Sequence, residues 1–212
     1  MSNNLELLTL FSKVICLSNI QLTKEEELII DEYINKTEFV QHKNYNKNIT
    51  NSVQGTKDRY MFKNPSLHFL QNKILEKFND FKNNILNYKN NEFVINTSWI
   101  TKSNKTQSGD YHNHNHCMYS GVYYYRVPEN SGNIKFNNFE DKRFILIPEK
   151  YNIYNSASYT INTKKDLLIF FPSEMYHKIQ FNNSEEGDRY SIAFNLLPIG
   201  EIGLGDSKLT LK

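Results

Sequence analysis

Three of the six histidines fall within five residues, in the run Asp110-Tyr111-His112-Asn113-His114-Asn115-His116. In an extended chain residues two apart share a face, which sets three imidazoles along one side about 6.5 to 7 Å apart. Two of them, at i and i+2, can converge on one cation, because Nε2 reaches far from the backbone. Neutral imidazole suits iron, zinc and copper alike. The bland alternative is a polar, Asn-flanked loop with its rings in solvent. Strict alternation just ahead of an apolar strand argues against it.

Two further groups lie downstream. Asp166-Leu167-Leu168-Ile169-Phe170-Phe171-Pro172-Ser173 reads as a buried strand that stops at a Pro-Ser turn, with His177 four residues later. Arg189-Tyr190-Ser191-Ile192-Ala193-Phe194-Asn195 then reads as a strand that carries Arg189 and Ser191 on one face and Ile192 and Phe194 on the other. A guanidinium and a hydroxyl pointing together into a barrel are costly to bury unless an anion meets them. The guanidinium fork suits a carboxylate. Here the alternative is an arginine at a strand start that reaches back to solvent.

The elements that must position these groups fall in two halves. Residues 1–90 read as a helical layer. Thr23 and Glu26 have capping-box spacing, followed by Leu28, Ile29, Tyr33 and Ile34 as a helical face. After Pro65-Ser66, Leu67, Leu70, Ile74, Phe78, Phe81 and Ile85 recur at spacings of three and four, which predicts a helix ending near Asn87. Residues 43–59 read as a polar loop. From residue 91 the period shortens, and strands are expected over Glu92–Ile100, Met118–Tyr125, Asn133–Phe136, Phe144–Ile147, Asp166–Phe171 and Arg189–Leu196. Short strands at near-regular spacing predict a sandwich or barrel of jelly-roll type, with the helices packed on one sheet. One α+β, mainly β domain over residues 1–212 is expected, its β core over 91–198 and a loosely ordered tail over 199–212.

Composition removes several classes. The chain has 212 residues, enough to bury a sizeable core, and 14 Phe with 14 Tyr supply large buried areas. A net charge of +2 gives no electrostatic case for nucleic acid. No apolar run approaches a membrane span, and no signal peptide is expected from the first residues. Two cysteines, Cys16 and Cys117, make no disulfide framework and suit a reducing cytoplasm. The 30 Asn and 21 Lys against 4 Arg read as the mark of an A/T-rich genome, and one of those four arginines is Arg189.

Taken in order, His112-x-His114, Ser120-Gly121-Val122-Tyr123-Tyr124, Gly132-x-Ile134-x-Phe136, Phe171-Pro172-Ser173-x3-His177 and Arg189-x-Ser191-x-Ala193-Phe194-Asn195 resemble the iron(II)- and 2-oxoglutarate-dependent oxygenases. The likeness is to a bacterial and phage branch of that superfamily and covers roughly residues 90 to 198. It implies a double-stranded β-helix, of the jelly-roll or cupin-like kind, with His112, His114 and His177 as metal ligands. It also implies that Arg189 and Ser191 hold the distal carboxylate of 2-oxoglutarate, with Tyr123 or Tyr125, taken as inward-facing, donating to the same cosubstrate. The implied cofactors are Fe(II), 2-oxoglutarate and O₂, and the implied reaction is hydroxylation or related C–H oxidation of a small-molecule or peptidyl substrate.

One departure stands out. Most of the superfamily places a carboxylate where this chain has His114, and a neutral ligand there leaves the metal site one unit more positive. Asp110 and His116 are the competing donors. His116 is otherwise expected beside the ligands or facing substrate, and Asn195 behind them. The segments Lys102–Ser108 and Asn137–Ile161 are expected to act as lids. The alternative function is a His-rich, cupin-like metal-binding barrel, either non-catalytic or independent of 2-oxoglutarate, and a homodimer is left open.

Overall fold

The computed structural model describes residue 6 and residues 8–41, 51–88, 90–139 and 146–212. In chain order the main elements are β1 (Cys16–Asn19), α1 (Lys24–Lys36), β2 (Phe39–Gln41), β3 (Gln54–Thr56), α2 (His68–Phe81), β4 (Glu92–Ser103) and β5 (Tyr119–Arg126). They are followed by β6 (Ile134–Asn137), β7 (Ser158–Ile161), β8 (Leu167–Pro172), β9 (Tyr176–Ile179), β10 (Arg189–Ile202) and β11 (Leu209–Leu211).

The strands form two antiparallel sheets. The major sheet runs β1-β8-β5-β10-β4-β3-β2, with β11 added to β10, and the minor sheet runs β7-β6-β9. Both faces of the major sheet are covered. One carries the helices, whose Ile30, Ile34, Leu70, Ile74, Phe78 and Phe81 pack on Tyr119, Tyr123, Phe170 and Phe194. The other meets the minor sheet through Val122, Tyr124, Ile169 and Phe171 against Ile134, Phe136 and Ile161. The result is a double-stranded β-helix with a helical layer behind it.

Local chemistry accounts for the helix ends. The Thr23 hydroxyl accepts from the Glu26 N–H while the Glu26 carboxylate accepts from the Thr23 N–H, a reciprocal cap on α1. The buried stripe of α1 is Ile30 and Ile34; Leu28, expected on that face, is exposed. In α2 the expected stripe is buried from Leu67 to Phe81, but the helix closes through a π turn over Lys82–Leu86. The extra residue of that turn rotates Ile85 into solvent. Asn87 then ends the helix in a left-handed conformation, φ 63°.

Several expectations are corrected. Residues 1–90 are not purely helical, since β1, β2 and β3 extend the major sheet from both ends. The tail does not trail away: β10 continues to Ile202 and β11 folds back on it, Gly200 opposite Leu211. Within Phe144–Ile147 the first two residues lie outside the described residues, and Leu146 and Ile147 are exposed and not in a strand. Residues 43–50 of the predicted polar loop also lie outside them. Lys102–Ser108 is a pinned turn rather than a lid. Thr106 N–H donates to the Asn182 carbonyl and Ser108 N–H to that of Asn51. Asn137–Ile161 includes the last residue of β6 and all of β7, and residues 140–145 of it lie outside the description.

Candidate metal centre and its cavity

His112 and His177 face each other across an antiparallel bridge. The N–H of each donates to the carbonyl of the other, at 3.0 and 2.9 Å, so the backbone sets this pair before any metal is considered. His114 joins them because its N–H donates to the Ser173 carbonyl at 2.9 Å, which ties the histidine run to the turn between β8 and β9. The three side chains offer nitrogen atoms that all lie within 4.8 Å of one another. Ring centroids stand 4.4 Å apart for His112–His177, 5.1 Å for His112–His114 and 5.2 Å for His114–His177.

Which nitrogen can ligate follows from the local contacts. His112 Nδ1 lies 2.8 Å from the Asp110 carbonyl, and His177 Nδ1 lies 3.0 Å from that of Met175. A carbonyl only accepts, so each Nδ1 carries the proton and each Nε2 keeps its lone pair. His177 is buried against the Phe171 ring, at 4.7 Å. His114 packs on Trp99, at 5.8 Å.

Charge supports the same reading. Burial, reinforced by His112, holds His114 down at about 4. Burial, with His112 and His114 adding to it, holds His177 well below the usual imidazole range. Both rings are therefore neutral at pH 7, the form that binds metal. The sign for stability follows. The unfolded chain takes up these protons near pH 6.5 while the folded one resists, so stability is full above that pH and falls as pH drops towards 4. Thermal unfolding of metal-free protein is expected to show this loss, with a shallower slope for His114→Gln.

Behind the histidines runs a buried polar chain. Ser120 Oγ donates to Asn195 Oδ1 at 2.8 Å and lies 2.8 Å from Ser173 Oγ, while Asn195 Nδ2 donates to Thr97 Oγ1. Asn195 thus reaches His114 only through Ser120 and Ser173, the residue whose carbonyl holds His114. The glycine beside Ser120 has a steric reason. A Cβ on Gly121 would come within 2.4 Å of the Phe194 ring.

The three histidines line a cavity of about 600 Å³. Tyr124 and Ser191 line it too. Arg189, on the same face of β10 as Ser191, is 1% exposed. Its Nη1 donates to the Gly132 carbonyl at 2.9 Å, while Nε and Nη2 have no partner among the described residues. Gly132 sits at φ +87°, where a Cβ would also strike the Gln180 carbonyl at 2.5 Å, so glycine is required to present that acceptor. A buried cation with two such donors, near a tyrosine and a serine, has the chemistry to hold a carboxylate.

The structure corrects other site expectations. Tyr123 and Tyr125 face the helical layer: Tyr123 Oη donates to Asp166 Oδ1, and Tyr125 Oη to Asp31 Oδ1 at 2.6 Å. Tyr124, between them, faces the cavity. His116 is exposed in a left-handed turn, φ 61°, outside the ligand group and the cavity wall. Asp110 lines the cavity but lies outside the group of convergent donors.

The comparisons with known proteins bear on the β core. Residues 97–195 match a family model described as "Putative 2OG-Fe(II) oxygenase". Over those residues the β core is similar to the 2OG-Fe(II) oxygenases. No curated protein sequence matches the chain. Among solved structures, the chain is similar to a Trichoplax adhaerens prolyl hydroxylase in complex with a hypoxia inducible factor peptide. That match has TM-score 0.58 and 13% identity, and covers 86% of this chain and 83% of the other. It is similar to HygX from Streptomyces hygroscopicus, solved with nickel, 2-oxoglutarate and hygromycin B, at TM-score 0.57 and 11% identity over 88% and 83%. A Pseudomonas putida prolyl-4-hydroxylase aligns at TM-score 0.55 and 11% identity over 87% and 93%. These likenesses establish the double-stranded β-helix of the oxygenase fold. No helix among the described residues is long and apolar enough to cross a membrane.

Proposed function

We propose that this oxygenase holds Fe(II) on His112, His114 and His177, seats 2-oxoglutarate against Arg189 and Ser191, and oxidises a C–H bond of a small-molecule or peptidyl substrate. The observation that carries the reading is Arg189, a fully buried guanidinium with two unpartnered nitrogens on the cavity side of β10. A merely metal-binding barrel gives those donors nothing to do.

When bound, iron and 2-oxoglutarate supply the oxidising power, as O₂ is reduced and 2-oxoglutarate is decarboxylated to succinate and CO₂. The chain supplies placement. His112 and His177 present Nε2 because the Asp110 and Met175 carbonyls hold the opposite nitrogens. Arg189 and Ser191 fix the far carboxylate. Phe171, Ile134 and Val122 keep the inner wall apolar and exclude water. Two free cysteines, Cys16 and Cys117, support a reducing, cytoplasmic setting, and the near-neutral charge gives no pull towards nucleic acid or anionic membrane.

The test is direct. Protein loaded anaerobically with Fe(II) should develop a weak visible charge-transfer band when 2-oxoglutarate is added, and should release succinate on exposure to air. No band and no succinate with all three histidines intact would end the oxygenase reading. Tyr124 takes the place expected for Tyr123 or Tyr125. Tyr124→Phe is expected to raise half-saturation by 2-oxoglutarate by about 2- to 12-fold, the worth of one hydrogen bond. Tyr123→Phe should leave that constant unchanged and lower stability by about 1 kcal/mol. Titration of the band and thermal melts separate the two.

A further inference from the structure

The oxygenase cavity has a charge pattern that the metal and 2-oxoglutarate do not account for. Among the described residues lining it, one side chain carries a formal charge at neutral pH, and that is Asp110. Its backbone carbonyl is engaged by His112 Nδ1, but among the described residues its carboxylate has no hydrogen bond and no ion pair. It is also outside the group of donors that can share a metal.

The surroundings narrow what the carboxylate can meet. It is only part-exposed, so hydration is incomplete. Trp99, Tyr111 and Asn113 share the wall. Lys178 lies over the Tyr111 ring at 4.9 Å and Arg59 over the Trp99 ring at 5.6 Å, and among the described residues neither forms a salt bridge with Asp110. A part-exposed carboxylate on a cavity wall is the chemistry that recognises an ammonium or guanidinium group, through a charge-assisted hydrogen bond. The same carboxylate repels an anionic substrate. Arg189 offers its charge from a fully buried position on β10, so the cosubstrate's carboxylate and a substrate's cation are met by different elements of the fold.

We infer that Asp110 is a specificity-determining residue that selects a substrate bearing a cationic nitrogen, an amine or guanidine on an otherwise apolar or aromatic-compatible body. This rests on the oxygenase reading of the cavity. It differs from the reading in which Asp110 completes the metal site, because the carboxylate then serves the substrate.

Trp99 is the chain's single tryptophan and lines the cavity, so its fluorescence reports occupancy without turnover. The probes are n-hexylammonium, hexanol and hexanoate, matched in length and different in charge. They are titrated anaerobically into the protein loaded with Fe(II) and 2-oxoglutarate. The expected result is saturation by hexylammonium at a concentration at least about 10-fold below that of hexanoate, the ratio one net charge-assisted hydrogen bond provides. Asp110→Asn should bring the ammonium and hexanol to within about 2-fold of each other and leave the charge-transfer band unchanged.

Equal response to the three probes, preference for hexanoate, or no saturable response to the ammonium overturns the inference. Loss of the band in Asp110→Asn also overturns it, by making Asp110 a ligand. Absence of the band in the unsubstituted protein instead overturns the oxygenase reading, so the two failures are distinguishable.

Discussion

Arg189→Ala should raise the 2-oxoglutarate concentration needed for half-saturation by at least about 30-fold, while Fe(II) affinity stays within about 3-fold of the parent. Removing one partner of a buried, hydrogen-bonded charge pair costs roughly 2 to 5 kcal/mol, and about 1.4 kcal/mol is tenfold in affinity. The iron should be spared because Arg189 touches none of the three imidazoles; its one bond goes to the Gly132 carbonyl. Band titrations against each component measure the two constants separately. Equal loss of both would remove Arg189 from its assigned place. A second variant sharpens the result. Arg189→Met keeps the volume but removes a buried charge that lacks full pairing, so in the absence of 2-oxoglutarate its melting temperature is expected to match or exceed the parent's. Stability held while cosubstrate binding is lost identifies a residue kept for function.

His177→Ala is the second large effect. Succinate formation should fall by at least about 100-fold, because even the partners that merely orient a metal ligand are worth about 10- to 100-fold. Fe(II) binding, followed by the band, should fall with it. The loss also opens a space between Phe171 and Phe136, which flank the ring at 4.7 and 5.9 Å, so His177→Gln provides the check that loss follows the ligand and not the packing. His114→Asp forms the contrast. It restores a carboxylate between the same neighbours, and the band is expected to persist with a shifted maximum. Persistence in His114→Asp alongside loss in His177→Ala would show that the centre accepts either charge at the one position and needs imidazole at the other.

Part of this site was legible because Arg189 and Ser191 sit on a long strand with strong local signals. β5, β8 and β10 are rich in aromatic and β-branched residues, so Arg189 and Ser191 could be placed from alternation, whereas His112 and His114 lie outside the strands and are set by a bridge to His177 and by the Ser173 carbonyl. What alternation could not supply was direction. On β5 every residue from Tyr119 to Tyr125 is buried, since helices cover one face and the minor sheet the other. A strand buried on both faces has no polar side to mark the exterior. The expectation that Tyr123 and Tyr125 point inward therefore had equal support from the pattern as Tyr124, and only the packed structure separates them. The short strands were hidden for another reason. β2 and β3 have three residues each, too few for a period, and β1 exists because β8 offers it an edge. Pairing partners so distant in sequence leave no local trace.

The alternation along β5 also governs which changes of chain length this protein can survive. Tyr119, Tyr123 and Tyr125 serve the helical layer while Val122 and Tyr124 line the cavity, so one strand carries both assignments in a single register. Inserting or deleting one residue within Tyr119–Arg126 would exchange the two sets at a stroke, turning Tyr124 to the helices and the Tyr123 side to the histidines. No compensating point substitution could restore both. The turn between β10 and β11 has no such double duty, since the residues it joins lie outside the cavity. Length variation should thus be tolerated at that end of the sheet and lethal at its centre, where one frame is read twice.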